Sequence, residues 1–130
     1  MRGFSSHPSR TVKITRGEQV VEFVVSPTPL GYTDLLVEVL PAPKAPERGA
    51  VDPKLATKHS TRHVMLILAK SLGDQLDSRP PESRTVALWE AYADAVQAEF
   101  TAAHLVEGDL SAIITEINLL NRGHGDLPKA

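Results

Sequence analysis

The chain is expected to be an α+β protein in which an N-terminal β-hairpin packs on a bundle of three to four α-helices. Three observations predict this. "TVKIT" and "VVEFVV" alternate their side chains between an inner and an outer face, as half-buried strands do. A stretch dense in proline, "SPTPLGYTDLLVEVLPAPKAP", then ends the strand pattern. Beyond it, only helical spacing of apolar residues occurs. A length of 130 residues with 42% hydrophobic and 23% charged content suits one soluble domain with its own core.

Residues 1–10 read as a flexible polar arm. In the hairpin, 11–25, Val12 and Ile14 share one face of the first strand, and Val21, Phe23 and Val25 share one face of the second. Gly17 in the intervening "RGEQ" supplies the positive φ of a tight turn. Two strands alone are marginal in water, so their apolar face needs a cover, either a helix or another chain. Pro27 and Pro29 cannot extend the ladder. "GYTDLLVEVL" predicts a short helix over 33–40, with Thr33 as N-cap, Asp34 in the first turn, and Leu35, Leu36, Val39 and Leu40 at helical spacing. Pro41, Pro43 and Pro46 open a semi-rigid connector over 41–53. A hairpin has no core of its own, so this segment reads as a stiff corner inside a single domain, 11–123.

Three longer helices follow. Asp52 and Pro53 open one over 54–76, whose Leu55, Val64, Met65, Leu68, Leu72 and Leu76 fall largely on one side. "SRPPESR" breaks it. The second, 85–104, carries Leu88, Trp89, Tyr92, Val96 and Phe100 three or four apart. Gly108 is expected to break that helix and Asp109 to cap the last, 110–122, with Leu110, Ile113, Ile114, Ile117 and Leu120 in a stripe. Gly123 stands where a C′ glycine stops a helix. Residues 124–130 read as a flexible tail.

The net charge of −2 and a pI near 6.2 offer no basic field for phosphates, so nucleic acid is not an expected partner. The apolar last helix would also make a poor recognition helix in a helix-turn-helix. The absence of cysteine removes disulfides, thiolate metal sites and thiol nucleophiles. No apolar run approaches membrane length and the N-terminus has no apolar leader core, so the expectation is a cytoplasmic protein with no membrane role.

No GxSxG elbow, GxxxxGK[ST] loop or GxGxxG cradle occurs, so neither catalytic nor cofactor-binding residues are assigned, and the chain is expected not to be an enzyme. His59 and His63 stand at i,i+4, a spacing that lets two imidazoles reach one metal. Ser60 replaces the glutamate of HExxH, however, and no third ligand is anchored nearby. The expectation is no metal, with "KHSTRH" forming a solvent-facing basic helix face. Glu90, Asp94 and Glu99 are likewise expected on solvated faces rather than in a cleft.

The apolar stripes carry the remaining expectation. Trp89, Tyr92, Leu110, Ile113, Ile117 and Leu120 are assigned to core, partner or oligomer contacts. The order of elements, "TVKITRGEQVVEFVV", "YTDLLVEVL", "TVALWEAYADAVQAEF" and "DLSAIITEINLLNRG", resembles that of tail assembly chaperones of long-tailed bacteriophages. The resemblance implies a non-enzymatic assembly protein that self-associates and shields a partner's apolar helices, in the cytoplasm of a bacterial host or in the virion. It has no catalytic motif to carry over. The alternative from the residues alone is a small adaptor that binds one host protein through the proline-rich segment 41–46.

Overall fold

A computed structural model describes residues 1–123; the tail expected over 124–130 lies outside the described residues. The order is strand β1 (Arg10–Arg16), strand β2 (Gln19–Val25), then helices α1 (Tyr32–Val39), α2 (Pro53–Leu72), α3 (Val86–Ala102) and α4 (Glu107–Asn121). The protein is therefore an α+β fold, as the strand-then-helix pattern predicts.

The hairpin is antiparallel, with Arg16 opposite Gln19 and Arg10 opposite Val25. Only Gly17 and Glu18 separate the strands, and Gly17 takes φ 59. A positive φ at the first of two loop residues suits the right-handed twist of the strands and selects glycine there. The register pairs Val12 with Phe23 and Ile14 with Val21, so the apolar faces of both strands coincide. Val12 and Val25 are buried, while Ile14 and Phe23 are half-buried against the core. Val21 departs from expectation. It sits on the inner face but near the turn, beyond the cover of the helices, and is 48% exposed.

Helix α4 covers the inner face. Arg10 and Arg16 have the same parity as Val12 and Ile14, so they point toward α4 from both ends of β1, where they pair with Glu116 and Asp109 respectively. Arg16 also donates from Nη1 to the His104 carbonyl at 2.6 Å. Strand β1 thus runs antiparallel to α4, with an ion pair at each end of the contact.

The edge of β2 is finished by side chains. Gln75, in a 3-10 turn after α2, accepts the Val24 N–H at 2.8 Å and donates to the Val24 carbonyl at 2.6 Å. The buried Ser71 hydroxyl accepts the Ser26 N–H at 2.9 Å and donates to the Ser26 carbonyl at 2.7 Å. These four bonds stand in for a third strand at the end of β2, where an unpaired edge would otherwise stay open.

Helix α1 begins at Tyr32, with Gly31 at φ 85 as its N-cap and no side-chain cap. Thr33 therefore lies inside the helix and does not cap it, because the chain leaves Pro29 through a left-handed glycine that already turns it. Tyr32, Leu36, Val39 and Leu40 are buried, and the Tyr32 hydroxyl donates to the Leu66 carbonyl at 3.1 Å. Helix α2 starts as expected, with Asp52 accepting the Lys54 N–H at 2.9 Å. It stops at Leu72, four residues early, because Gly73 turns to φ 54. Leu76 still reaches the core from the following segment, whereas Leu55 in the first turn is exposed.

Helix α3 buries Trp89, Ala93, Val96 and Phe100 against α2, and Leu88 is exposed instead. The helix ends at Ala102, and the break before α4 is made by His104 in a left-handed conformation, φ 58, not by Gly108. Gly108 lies within the first turn of α4. Asp109 is not the N-cap. It is the third helical residue, and its carboxylate reaches back to the Val106 N–H at 2.8 Å. Gly123 closes α4 at φ 87, its N–H donating to Leu120 at 2.9 Å.

Candidate functional site

Four of the six residues assigned to contacts are sealed inside the molecule. Ile113 and Ile117 have no exposure, Leu120 has 3% and Trp89 has 6%. They hold α4 and α3 to the core, and Leu120 also borders a surface hollow. Trp89 donates from Nε1 to the Ser83 carbonyl at 2.8 Å, and Tyr92 meets its ring edge-on with centroids 5.8 Å apart. Burial raises the Tyr92 phenol above its ordinary pKa. Tyr92 and Leu110 are half-buried and line surface hollows.

The larger hollows lie along α2 and α4. One, about 690 Å³, lies where α2 and α4 meet the end of α3, with Met65, Phe100, Leu105 and Leu110 in its wall. The other, about 790 Å³, opens between the same two helices and the corner at Pro27, Thr28 and Pro29, with Ile67 and Leu120 in its wall. Val64 and Ile114 line both, so the two hollows adjoin at these side chains and together make a groove along the seam of α2 and α4. Its position follows from the topology. α3 packs mainly on α2, whereas α4 touches α2 only sparsely, so the seam between α2 and α4 stays loosely closed. The eight-residue α1 packs on the α3 side and cannot fill the gap. Val64, Ile67, Leu105, Leu110 and Ile114 consequently stay half-buried at the edge of the core.

The groove is nearly free of charge. Among the described residues, Glu107 is the only titratable side chain lining either hollow, and the polar rim consists of residues such as Ser60, Thr61, Gln97, Ser111 and Asn118. Depletion of charge around an apolar centre is the composition of an interface core. It also leaves no paired acid and base in the groove to move a proton.

Titratable groups converge elsewhere, and there the sequence reading needs correction. The "KHSTRH" segment is not a solvent-facing basic surface. Arg62 is mostly covered and lies between Glu90 and Asp94, donating at 2.7 Å to the first and at 3.0 and 2.9 Å to the second. The two acids, four apart on α3, are thereby tied to α2. The Arg62 hydrogen bond holds the Asp94 carboxyl below its usual range. Glu99 is engaged too, accepting the Asp77 and Ser78 N–H groups at 2.7 and 2.8 Å and the Ser78 hydroxyl at 2.8 Å. It fixes the exit from α2 instead of facing water.

His59 and His63 are half-buried, their ring centroids 6.4 Å apart. His59 Nε2 lies 3.0 Å from the Leu40 carbonyl, where Pro41 has left the end of α1 without a following N–H. This is a capping role. Burial, then the neighbouring His59, lowers the His63 pKa. Among the described residues no cluster of three His, Cys, Asp or Glu is positioned to hold a metal.

No protein-family model matches the chain, and no curated protein or solved structure is similar to it. Among the described residues, no helix is long and apolar enough to cross a membrane.

Sequence spacing did not reveal the groove. Val64 and Ile114 read as ordinary core positions, because periodicity marks an apolar face without saying how completely a neighbour covers it.

Proposed function

We propose that the protein is a non-enzymatic binding protein of the assembly class, which receives an apolar helix of a protein partner in the groove between α2 and α4. The observation that carries this reading is the pair of adjoining, nearly uncharged hollows that meet at Val64 and Ile114. α4 has 15 residues, so a groove along it is roughly 22 Å long at about 1.5 Å per residue. That length accommodates about four turns of a docked helix, seated by apolar anchors at i, i+3 and i+4. The pattern-level resemblance to tail assembly chaperones is consistent with such a cargo. In that setting the partner is the helical tape-measure protein, and a second copy of this chain is a further occupant.

The proline-rich adaptor is less favoured. Pro43 is half-buried, and with Pro41 it lines a small hollow of about 220 Å³ against Leu55 and His59. A segment held against α2 has to detach before a PxxP reader can grip it.

Titration of methyl-labelled protein with an amphipathic helical peptide bearing one leucine stripe tests the reading. Shifts at the Ile67, Leu110 and Ile114 methyls are expected, and those at Ile67 and Leu110 should vanish in a Val64→Arg/Ile114→Arg variant that keeps its circular dichroism. Unmoved groove methyls at millimolar peptide, with no self-association by light scattering over a wide range of protein concentration, would refute it.

A further inference from the structure

The arm ahead of β1 lies beside one end of the groove. Phe4 and Pro8 both line the 790 Å³ hollow, yet Phe4 is 88% exposed and has not entered it. The root of the arm is held: Pro8 and Ser9 are half-buried, and Arg10 pairs with Glu116 on α4, a wall of the same groove. The far lip is held as well, since Asn121 accepts the Thr28 N–H at 2.7 Å and donates to the Thr28 hydroxyl at 3.1 Å. A large ring on a short tether therefore stands at the mouth of a hollow whose two sides are fixed.

From these contacts we infer that residues 1–9 form an intramolecular strap, with Phe4 as a plug that closes over Val64, Ile67 and Ile114 and competes with the helix that the groove receives. The competition rests on the function proposed above; the seating of Phe4 does not. Reach is sufficient. Phe4 is four residues from Pro8, roughly 13 Å of extended chain at about 3.3 Å per residue. Tethering also favours this ring over any free competitor, because a short flexible tether gives an effective concentration of order millimolar. No charge opposes entry, since the lining of this hollow contains no titratable side chain among the described residues. Burying one phenyl ring gains about as much as is lost by ordering a few arm residues, so the strap is poised between open and closed.

The test begins with the protein alone. In methyl-labelled protein, nuclear Overhauser contacts from the Phe4 ring to the Ile67 and Ile114 methyls are expected, with upfield ring-current shifts that do not depend on protein concentration. Phe4→Ser should remove the shifts and leave the circular dichroism unchanged. It should also tighten binding of the leucine-stripe peptide roughly twofold, the factor by which a strap closed about half of the time weakens a competitor. Absence of the contacts, with identical Ile67 and Ile114 shifts in Phe4→Ser, overturns the strap. Shifts that grow with protein concentration also overturn it, because they place the arm of a second copy in the groove. If Phe4 seats but the peptide never binds, the strap stands and the partner-helix reading falls.

Discussion

Replacing Ser71 with alanine should loosen the attachment of β2 to the helices. The hydroxyl accepts the Ser26 N–H and donates to the Ser26 carbonyl, at 2.9 and 2.7 Å, from a position only 4% exposed. Each intramolecular hydrogen bond contributes about 1 kcal/mol net, so losing both costs about 2 kcal/mol. Two effects reduce that figure. Ser26 is itself exposed, so water replaces part of what is lost. Alanine is also the better helix former, by up to ~0.5 kcal/mol. The net cost should be about 1–2 kcal/mol. For 130 residues the unfolding entropy is roughly 0.27 kcal/mol/K, so Tm should fall by roughly 4–8 °C. Urea unfolding followed by far-ultraviolet circular dichroism measures the energy, and hydrogen exchange at the Ser26 amide locates it. Gln75→Ala should couple with Ser71→Ala non-additively, because both side chains hold the end of the same strand. A loss below ~0.5 kcal/mol with unchanged protection at Ser26 would refute the idea that side chains finish this edge.

Acid should destabilise the protein in two stages. Burial and His59 lower the His63 pKa in the fold, so the unfolded chain takes up that proton first, and stability declines as pH falls from roughly 6.5 through the folded value. The Asp94 carboxyl is lowered chiefly by the Arg62 hydrogen bond. Burial pushes the Glu99 carboxyl up, but the bonds from Asp77 and Ser78 outweigh it and lower it overall. A second decline therefore begins below roughly pH 4. Thermal melts from pH 8 to 3 should show both stages, and His63→Gln should erase only the upper one. Arg62→Met should cost about 1 kcal/mol in urea unfolding, a figure held down by the solvent that screens Glu90 and Asp94. Adding Glu90→Gln and Asp94→Asn should recover part of that loss, since it removes the repulsion left between two acids four apart. His104→Gly should stabilise the protein by roughly 0.5–1 kcal/mol, because φ 58 strains a residue with a Cβ; an unchanged or lower Tm would contradict this.

The sequence by itself determined the local elements. Period-two alternation assigned the inward faces of the hairpin, and the coincidence of Val12 with Phe23 and Ile14 with Val21 follows from the two-residue turn at Gly17. Asp52 with Pro53 marked the start of α2, and Gly123 marked the end of α4, because caps satisfy orphan backbone groups within a few residues. Tertiary structure decided everything that depends on who covers whom. Leu55 and Leu88 occupy apolar helical positions yet face water. Arg62 and His59 read as solvated but lie against α3 and the end of α1. Ser71 and Gln75 finish a strand some fifty positions away, and Arg10 meets Glu116 across nearly the whole chain. The groove belongs with these. Its apolar residues are ordinary in sequence, and it exists because α4 touches α2 only sparsely while α1 is too short to cover the seam between them. Spacing along a chain dictates which side of an element is apolar; the packing of distant elements decides how much of that side stays open.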